Sequence, residues 1–133
     1  MLEDQQLYLG RLEVDMKFEP KNPPRKFKVG KLENNIVISD FGDLQLSPDE
    51  QITIVSENGK RHDFACKDWG FYSTPSINGR LKNEGFKTAL VENLKGQVYV
   101  MSVDSERIDI FEKYCENESQ TILEWLDERK LKN

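Results

Sequence analysis

The residues with the clearest capacity for chemistry in this chain lie between Trp69 and Leu81. This segment combines aromatic rings, hydroxyl groups, an amide and a guanidinium group, which are carried by Trp69, Tyr72, Ser73, Thr74, Ser76, Asn78 and Arg80. Hydroxyl and guanidinium groups donate hydrogen bonds to phosphate and carboxylate oxygens, and aromatic rings stack on sugar or base rings. These residue types predict a binding site for an anionic sugar or a nucleotide-sugar.

Pro75 suggests how such a site would be built. Proline at the first position of a helix, directly after hydroxyl residues such as Ser73 and Thr74, is typical of a helix start, and we predict a short helix near 75–83. The unpaired N–H groups and the dipole at a helix start attract anions. The same residues also have a structural interpretation, in which Ser73 or Thr74 caps the helix, Asn78-Gly79 ends it, and Trp69, Phe71 and Leu81 belong to the core.

The rest of the sequence offers little catalytic chemistry. His62 and Cys66 share a strand face but stand about 13 Å apart, so they cannot form a dyad. The sequence has no GxSxG, P-loop, GxGxxG or EF-hand motif, and two cysteines with one histidine are too few for a structural zinc site. We therefore expect no catalytic residues, no metal and no cofactor. A small enzyme that uses His62 as an acid or base is the least favoured alternative.

Composition limits the class of protein. The length of 133 residues and the hydrophobic content of 37% suit one domain over 1–133, and the net charge of −5 argues against a nucleic-acid partner. No apolar run is long enough to span a membrane, and the acidic N-terminus resembles no signal peptide. Cys66 and Cys115 lie far apart in the sequence. Together these features predict a cytoplasmic protein with free thiols.

Hydrophobic periodicity predicts a chain of strands. Apolar residues alternate with polar ones over 8–18, a proline-rich loop follows at 19–26, and Asn58-Gly59 is a strong hairpin signal. The further predicted strands lie within 34–103 at 36–39, 51–56, 60–67, 86–93 and 97–103.

The C-terminal part predicts helices. Ile108, Phe111 and Cys115 recur at helical spacing, and a second apolar stripe runs from Ile122 to Leu126 with Ser119 as its candidate N-cap. We therefore expect two helices within 105–131. The predicted fold is α+β, with a mainly antiparallel, meander-like sheet of about six or seven strands, one short inserted helix and two C-terminal helices; a barrel-like closure is the alternative.

The segment from Asp68 to Leu81, followed by Gly85-Phe86-Lys87-Thr88-Ala89-Leu90-Val91, resembles a group of small uncharacterised bacterial proteins. Those proteins are encoded among genes for surface-polysaccharide or sugar-acid biosynthesis. The resemblance covers roughly residues 30–128 and leaves the N-terminal strand outside it. It implies an accessory protein of bacterial sugar metabolism and assigns no catalytic residue.

We expect a non-catalytic binding or accessory domain whose ligand is an anionic sugar or nucleotide-sugar. The alternative is a protein–protein interaction module or a homodimeric structural protein. Three features motivate this alternative: the absence of a catalytic constellation, the predicted apolar helix at Trp125-Leu126 near the C-terminus, and the exposed-looking loop at 20–28.

Overall fold

The computed structural model describes residues 16–30 and 36–132, which form eight strands and two α-helices. The strands are β1 (Lys17–Val29), β2 (Ile36–Gln45), β3 (Gln51–Val55), β4 (Arg61–Lys67), β5 (Gly70–Ser73), β6 (Phe86–Glu92), β7 (Val98–Asp104) and β8 (Thr121–Trp125). The helices are α1 (Arg80–Asn83) and α2 (Ile108–Asn117), and 3₁₀ turns lie at Ser105–Arg107 and Leu126–Glu128. The α+β class and the antiparallel pairing are confirmed. The single meander is wrong, because the described strands form three sheets, β1-β2, β3-β4-β5 and β7-β6-β8.

The first sheet is a long hairpin. Phe18 lies opposite Leu44 and Phe27 opposite Ile38, and the register shifts between Pro20 and Arg25. The predicted loop at 19–26 is therefore wrong, because this segment is an irregular part of strand β1. Proline has no N–H to donate to a ladder, and a bulge is where a strand tolerates it. Of the predicted strand 8–18, residues 8–15 lie outside the described residues, and Lys17 begins β1.

The second sheet contains the predicted hairpin. β3 pairs with β4 with Val55 opposite Arg61, and Gly59 adopts a φ of +90° in the connecting turn. A positive φ suits glycine because it has no Cβ, and this explains the Asn58-Gly59 signal. β5 then pairs with the other side of β4, with Tyr72 opposite Ala65, and is an edge strand of this sheet.

The third sheet corrects the C-terminal prediction. The first helix is present as α2, but the segment predicted as a second helix is strand β8, which pairs with β6 with Trp125 opposite Ala89. The residue predicted as an N-cap, Ser119, instead has a φ of +55° in the turn between α2 and β8. Thr121, Ile122 and Trp125 have high strand propensity, and β6 offers an edge for them to pair with.

The core lies between this sheet and α2. Ala89, Val91, Val103 and Cys115 are buried there, and Phe111 and Trp125 pack against them with their ring centroids 5.8 Å apart. The buried Asp127 side chain ties the C-terminal 3₁₀ turn to β6. Its carboxylate accepts a hydrogen bond from the Thr88 N–H at 2.8 Å and pairs with Lys87 Nζ at 3.0 Å.

Candidate binding surface

The aromatic residues of the predicted site are exposed on β5 and the turn before it. Trp69 and Phe71 are 67% and 71% exposed, and Tyr72 is 43% exposed. The rings of Trp69 and Tyr72 stack with centroids 5.8 Å apart and an interplanar angle of 27°. Phe71 lies opposite Cys66, and Tyr72 lies opposite Ala65, so Phe71 and Tyr72 project from opposite sides of the sheet. Trp69, Phe71 and Tyr72 are called the aromatic edge below.

The helix near 75–83 is shorter than the sequence predicts. α1 begins at Arg80 and contains only four residues, and Gly79 occupies its N-cap position without a side-chain hydrogen bond. Pro75 is buried and precedes a turn at residues 77–79 instead of starting the helix. The predicted helix start at the Thr74-Pro75 step is therefore wrong.

Arg80, the predicted anion ligand, is paired with carboxylates of the chain. Its Nη2 lies 3.0 Å from Asp63 Oδ2, and its Nη1 lies 3.1 Å from Glu84 Oε2. The hydrogen bonds to Asp63 and Glu84 raise the pKa of Arg80. Hydrogen bonds from Thr53 and then from Arg80 lower the pKa of Asp63. Two negative charges thus surround one positive charge, and this arrangement disfavours a third anion.

The remaining polar side chains of the segment also contact the chain itself. Ser73 Oγ lies 2.7 Å from His62 Nε2, and Ser76 Oγ accepts a hydrogen bond from the Arg80 N–H at 3.3 Å. Asn78 Nδ2 donates to the carbonyl oxygen of Arg129 at 3.1 Å. Thr74 Oγ1 is buried and has no hydrogen-bond partner among the described residues. The structure brings the seven predicted residues into one region, but the polar side chains of Ser73, Ser76, Asn78 and Arg80 bond to other groups of the chain.

His62 and Ser73 form a contact across two neighbouring strands. β4 and β5 are paired with Phe64 opposite Ser73, so His62 and Ser73 come together across the strands. The His62 ring stacks on Phe64 with centroids 4.4 Å apart, and burial lowers the pKa of His62. Neither His62 nor Ser73 lines any of the four main clefts. This geometry suits a structural hydrogen bond between strands better than a nucleophile and its base.

A well-formed cleft lies elsewhere, between the Asn58-Gly59 turn and the end of β7. It has a volume of about 520 Å³, and its charges come from Glu57, Lys60, Asp104 and Arg107. Asp104 accepts hydrogen bonds from the Glu106 N–H at 3.0 Å and from Asn58 Nδ2 at 3.0 Å, and it pairs with Lys60 at 3.6 Å and Arg107 at 3.5 Å. The hydrogen bond from the Glu106 N–H, followed by that from Asn58 and the charge of Lys60, lowers the pKa of Asp104, and burial opposes this shift. These charges neutralise one another and fix the loop.

Within residues 16–30 and 36–132, no three His, Cys, Asp or Glu side chains are grouped to hold a metal ion. None of the helices in these ranges has the length and apolar character to cross a membrane.

Comparison with known proteins found no matching family model, no matching curated protein and no matching solved structure. The resemblance to proteins of polysaccharide gene clusters accordingly stays a prediction, and function has to be inferred from the chain's own surface.

Proposed function

We propose that this chain is a non-catalytic binding module that holds an extended, apolar segment of a protein partner along the aromatic edge. The observation that carries this proposal is the exposure of Phe71 on the edge strand β5 and of Trp69 in the turn directly before it. Trp and Tyr are the side chains most often responsible for binding energy at protein interfaces. Exposed apolar patches on small proteins commonly mark binding sites.

The free backbone edge of β5 favours a partner segment in an extended conformation. On its outer side, β5 has no strand partner within the described part of the chain, so its outward N–H and C=O groups are open to a further strand. Trp69 with Tyr72 on one side of the sheet, and Phe71 on the other, would flank a peptide added there. Side chains that alternate along the peptide would meet these rings in turn.

The charges near the aromatic edge also favour an apolar partner over an anion. Arg80 is already paired with Asp63 and Glu84, and Lys67 is paired with Asp49 at 2.5 Å. An anionic ligand would have to displace one of these carboxylates. An apolar segment needs only the rings and the backbone edge.

A peptide library displayed on phage and selected against the full chain tests this function. We expect enrichment of sequences with alternating apolar residues, and a chosen peptide should lose about tenfold or more in affinity for the variant Trp69→Ala, measured by fluorescence anisotropy. Leu94→Ala is the matched control, because Leu94 is an exposed apolar residue in the β6–β7 turn. Equal affinity for the wild type and Trp69→Ala would contradict the proposal.

The second candidate function is the binding of an anionic sugar or nucleotide-sugar, and the stacked pair of Trp69 and Tyr72 favours it. A ring can stack on the free face of Trp69, with Ser73, Thr74, Ser76, Asn78 and Arg80 as the expected polar contacts. A thermal-shift screen with sugar phosphates and nucleotide sugars tests it. A stabilisation that Trp69→Ala abolishes would favour this function, and the absence of any stabilising compound would exclude it.

The proposed setting is the cytoplasm of a bacterium. Cys66 and Cys115 are both free thiols and both buried. Free, buried cysteines suit a reducing compartment.

A further inference from the structure

A second edge strand, β7, carries an apolar sequence. Val98 and Val100 are 51% and 66% exposed, and the six residues from Val98 to Val103 include no charged side chain. β6 pairs with one side of β7, and no strand pairs with the other side among residues 16–30 and 36–132. Edge strands in monomeric proteins are usually protected from pairing by charges, prolines or bulges. β7 has no proline and pairs with β6 in unbroken register from Val98 to Asp104.

A groove lies beside β7 on the side of the sheet that faces α2, opposite to the side from which Val98 and Val100 project. It has a volume of about 420 Å³ and lies between β7 and α2, with Met101, Ile110, Phe111 and Tyr114 among the residues that line it. Ile110 and Tyr114 are exposed on the side of α2 that borders this groove. One more strand beside β7 would place its own apolar side chains in the groove, next to those of α2.

Two exposed side chains of opposite charge flank β7. Lys95 lies in the turn before the strand, and Glu106 lies just beyond its end. Asp104, at the end of the strand, is already paired with Lys60 and Arg107. A parallel copy would align like charges with each other, whereas an antiparallel copy would place Lys95 of each chain near Glu106 of the other.

We propose that a second copy of this chain binds along β7, antiparallel, to form a symmetric dimer. The sheet would then be continuous over six strands, three from each copy. Residues directly opposite each other in an antiparallel pair project to the same side of the sheet, so the twofold axis lies midway between the two copies of one β7 residue. An axis at Val100 places Tyr99 opposite Met101 of the second copy and Lys95 next to Glu106 of the second copy. Both helices α2 then lie on the same side of the joined sheet.

The oligomeric state of the full chain tests this proposal directly. We expect sedimentation equilibrium to show a dimer, and we expect Val100→Lys to raise its dissociation constant by about tenfold or more, because two like charges would meet at the axis. The matched control is Ile54→Lys, which places the same charge on the exposed edge strand β3. A monomer at every concentration, or equal weakening by both substitutions, would overturn the proposal.

Two further experiments, a disulfide cross-link and a charge reversal, report on the register. Val100→Cys should form a disulfide-linked dimer under mild oxidation, because residues opposite each other in a sheet have Cβ atoms about 5 Å apart, while Ile54→Cys should not. The native thiols are buried and give little background. Lys95→Glu should weaken the dimer, and adding Glu106→Lys should restore it. Failure of both the cross-link and the charge reversal would exclude pairing along β7. Neither result depends on Trp69, so this test is independent of the peptide-binding proposal.

Discussion

The two parts of the segment Trp69–Leu81 differ in what their side chains contact. In the outer part, residues 69–72, the three aromatic rings are exposed. In the inner part, residues 73–81, Ser73, Ser76, Asn78 and Arg80 bond to the chain itself, and Leu81 is fully buried. Residues suited to binding an anion thus make contacts within the chain, such as the pair of Arg80 on α1 with Asp63 on β4, while the aromatic rings are exposed. A functional residue type identifies a site only when its bonding capacity is still free.

Of the substitutions in the segment Trp69–Leu81, Leu81→Ala should lower the stability of the protein most. Leu81→Ala is expected to lower the free energy of unfolding by about 3 kcal/mol, since the substitution opens a cavity under α1. Trp69→Ala, at the other end of the segment, should change it by no more than about 0.5 kcal/mol because the ring is exposed. Urea unfolding of both variants measures the difference. Similar losses in the two variants would show that the outer part is structural as well.

Two neighbouring hydroxyl groups of the inner part should respond in opposite directions. Thr74→Val should raise the stability by up to about 1 kcal/mol, because Thr74 Oγ1 is buried without a hydrogen-bond partner in the described part of the chain. Ser73→Ala should lower it by about 1 kcal/mol, because it removes the 2.7 Å contact with His62. Thermal unfolding of the two variants measures both changes in stability. A destabilised Thr74→Val variant would mean that this hydroxyl group has a bonding role.

His62, which contacts Ser73 of the inner part, should make the stability of the protein depend weakly on pH. Burial lowers its pKa, and the negative charges of Asp63 and Glu84 oppose this shift. In the unfolded chain the histidine keeps its ordinary pKa of 6.5 and binds a proton more readily. The stability is therefore complete above pH 6.5 and falls as the pH decreases through the lower pKa of the folded state.

Urea unfolding between about pH 7.5 and pH 5.5 measures this dependence. His62 is the single histidine of the sequence, so His62→Gln should remove it. The carboxylates with lowered pKa, such as Asp63 and Asp127, titrate well below this range and do not interfere. An unchanged slope in His62→Gln would assign the effect to another group.

Much of the strand pattern could be predicted from the sequence. The hairpin at Asn58-Gly59 and the strand pair β6–β7 depend on local signals, namely a turn that needs glycine and an apolar pattern on either side of it. Helix α2 likewise follows from its apolar spacing. The segment Thr121–Trp125 shows the limit of such signals. Its short apolar stripe fits either a helix or a strand, and pairing with β6 decides in favour of the strand.

The sequence by itself determined the α+β class, the antiparallel hairpins and the concentration of ring and hydroxyl side chains between Trp69 and Arg80. Only the tertiary structure decided that Arg80 faces Asp63, that Ser73 faces His62 and that the rings of the aromatic edge face outward. The physical reason is distance along the chain. Turns and periodicity depend on residues a few positions apart, whereas ion pairs, exposure and free sheet edges depend on which distant segments the fold brings together.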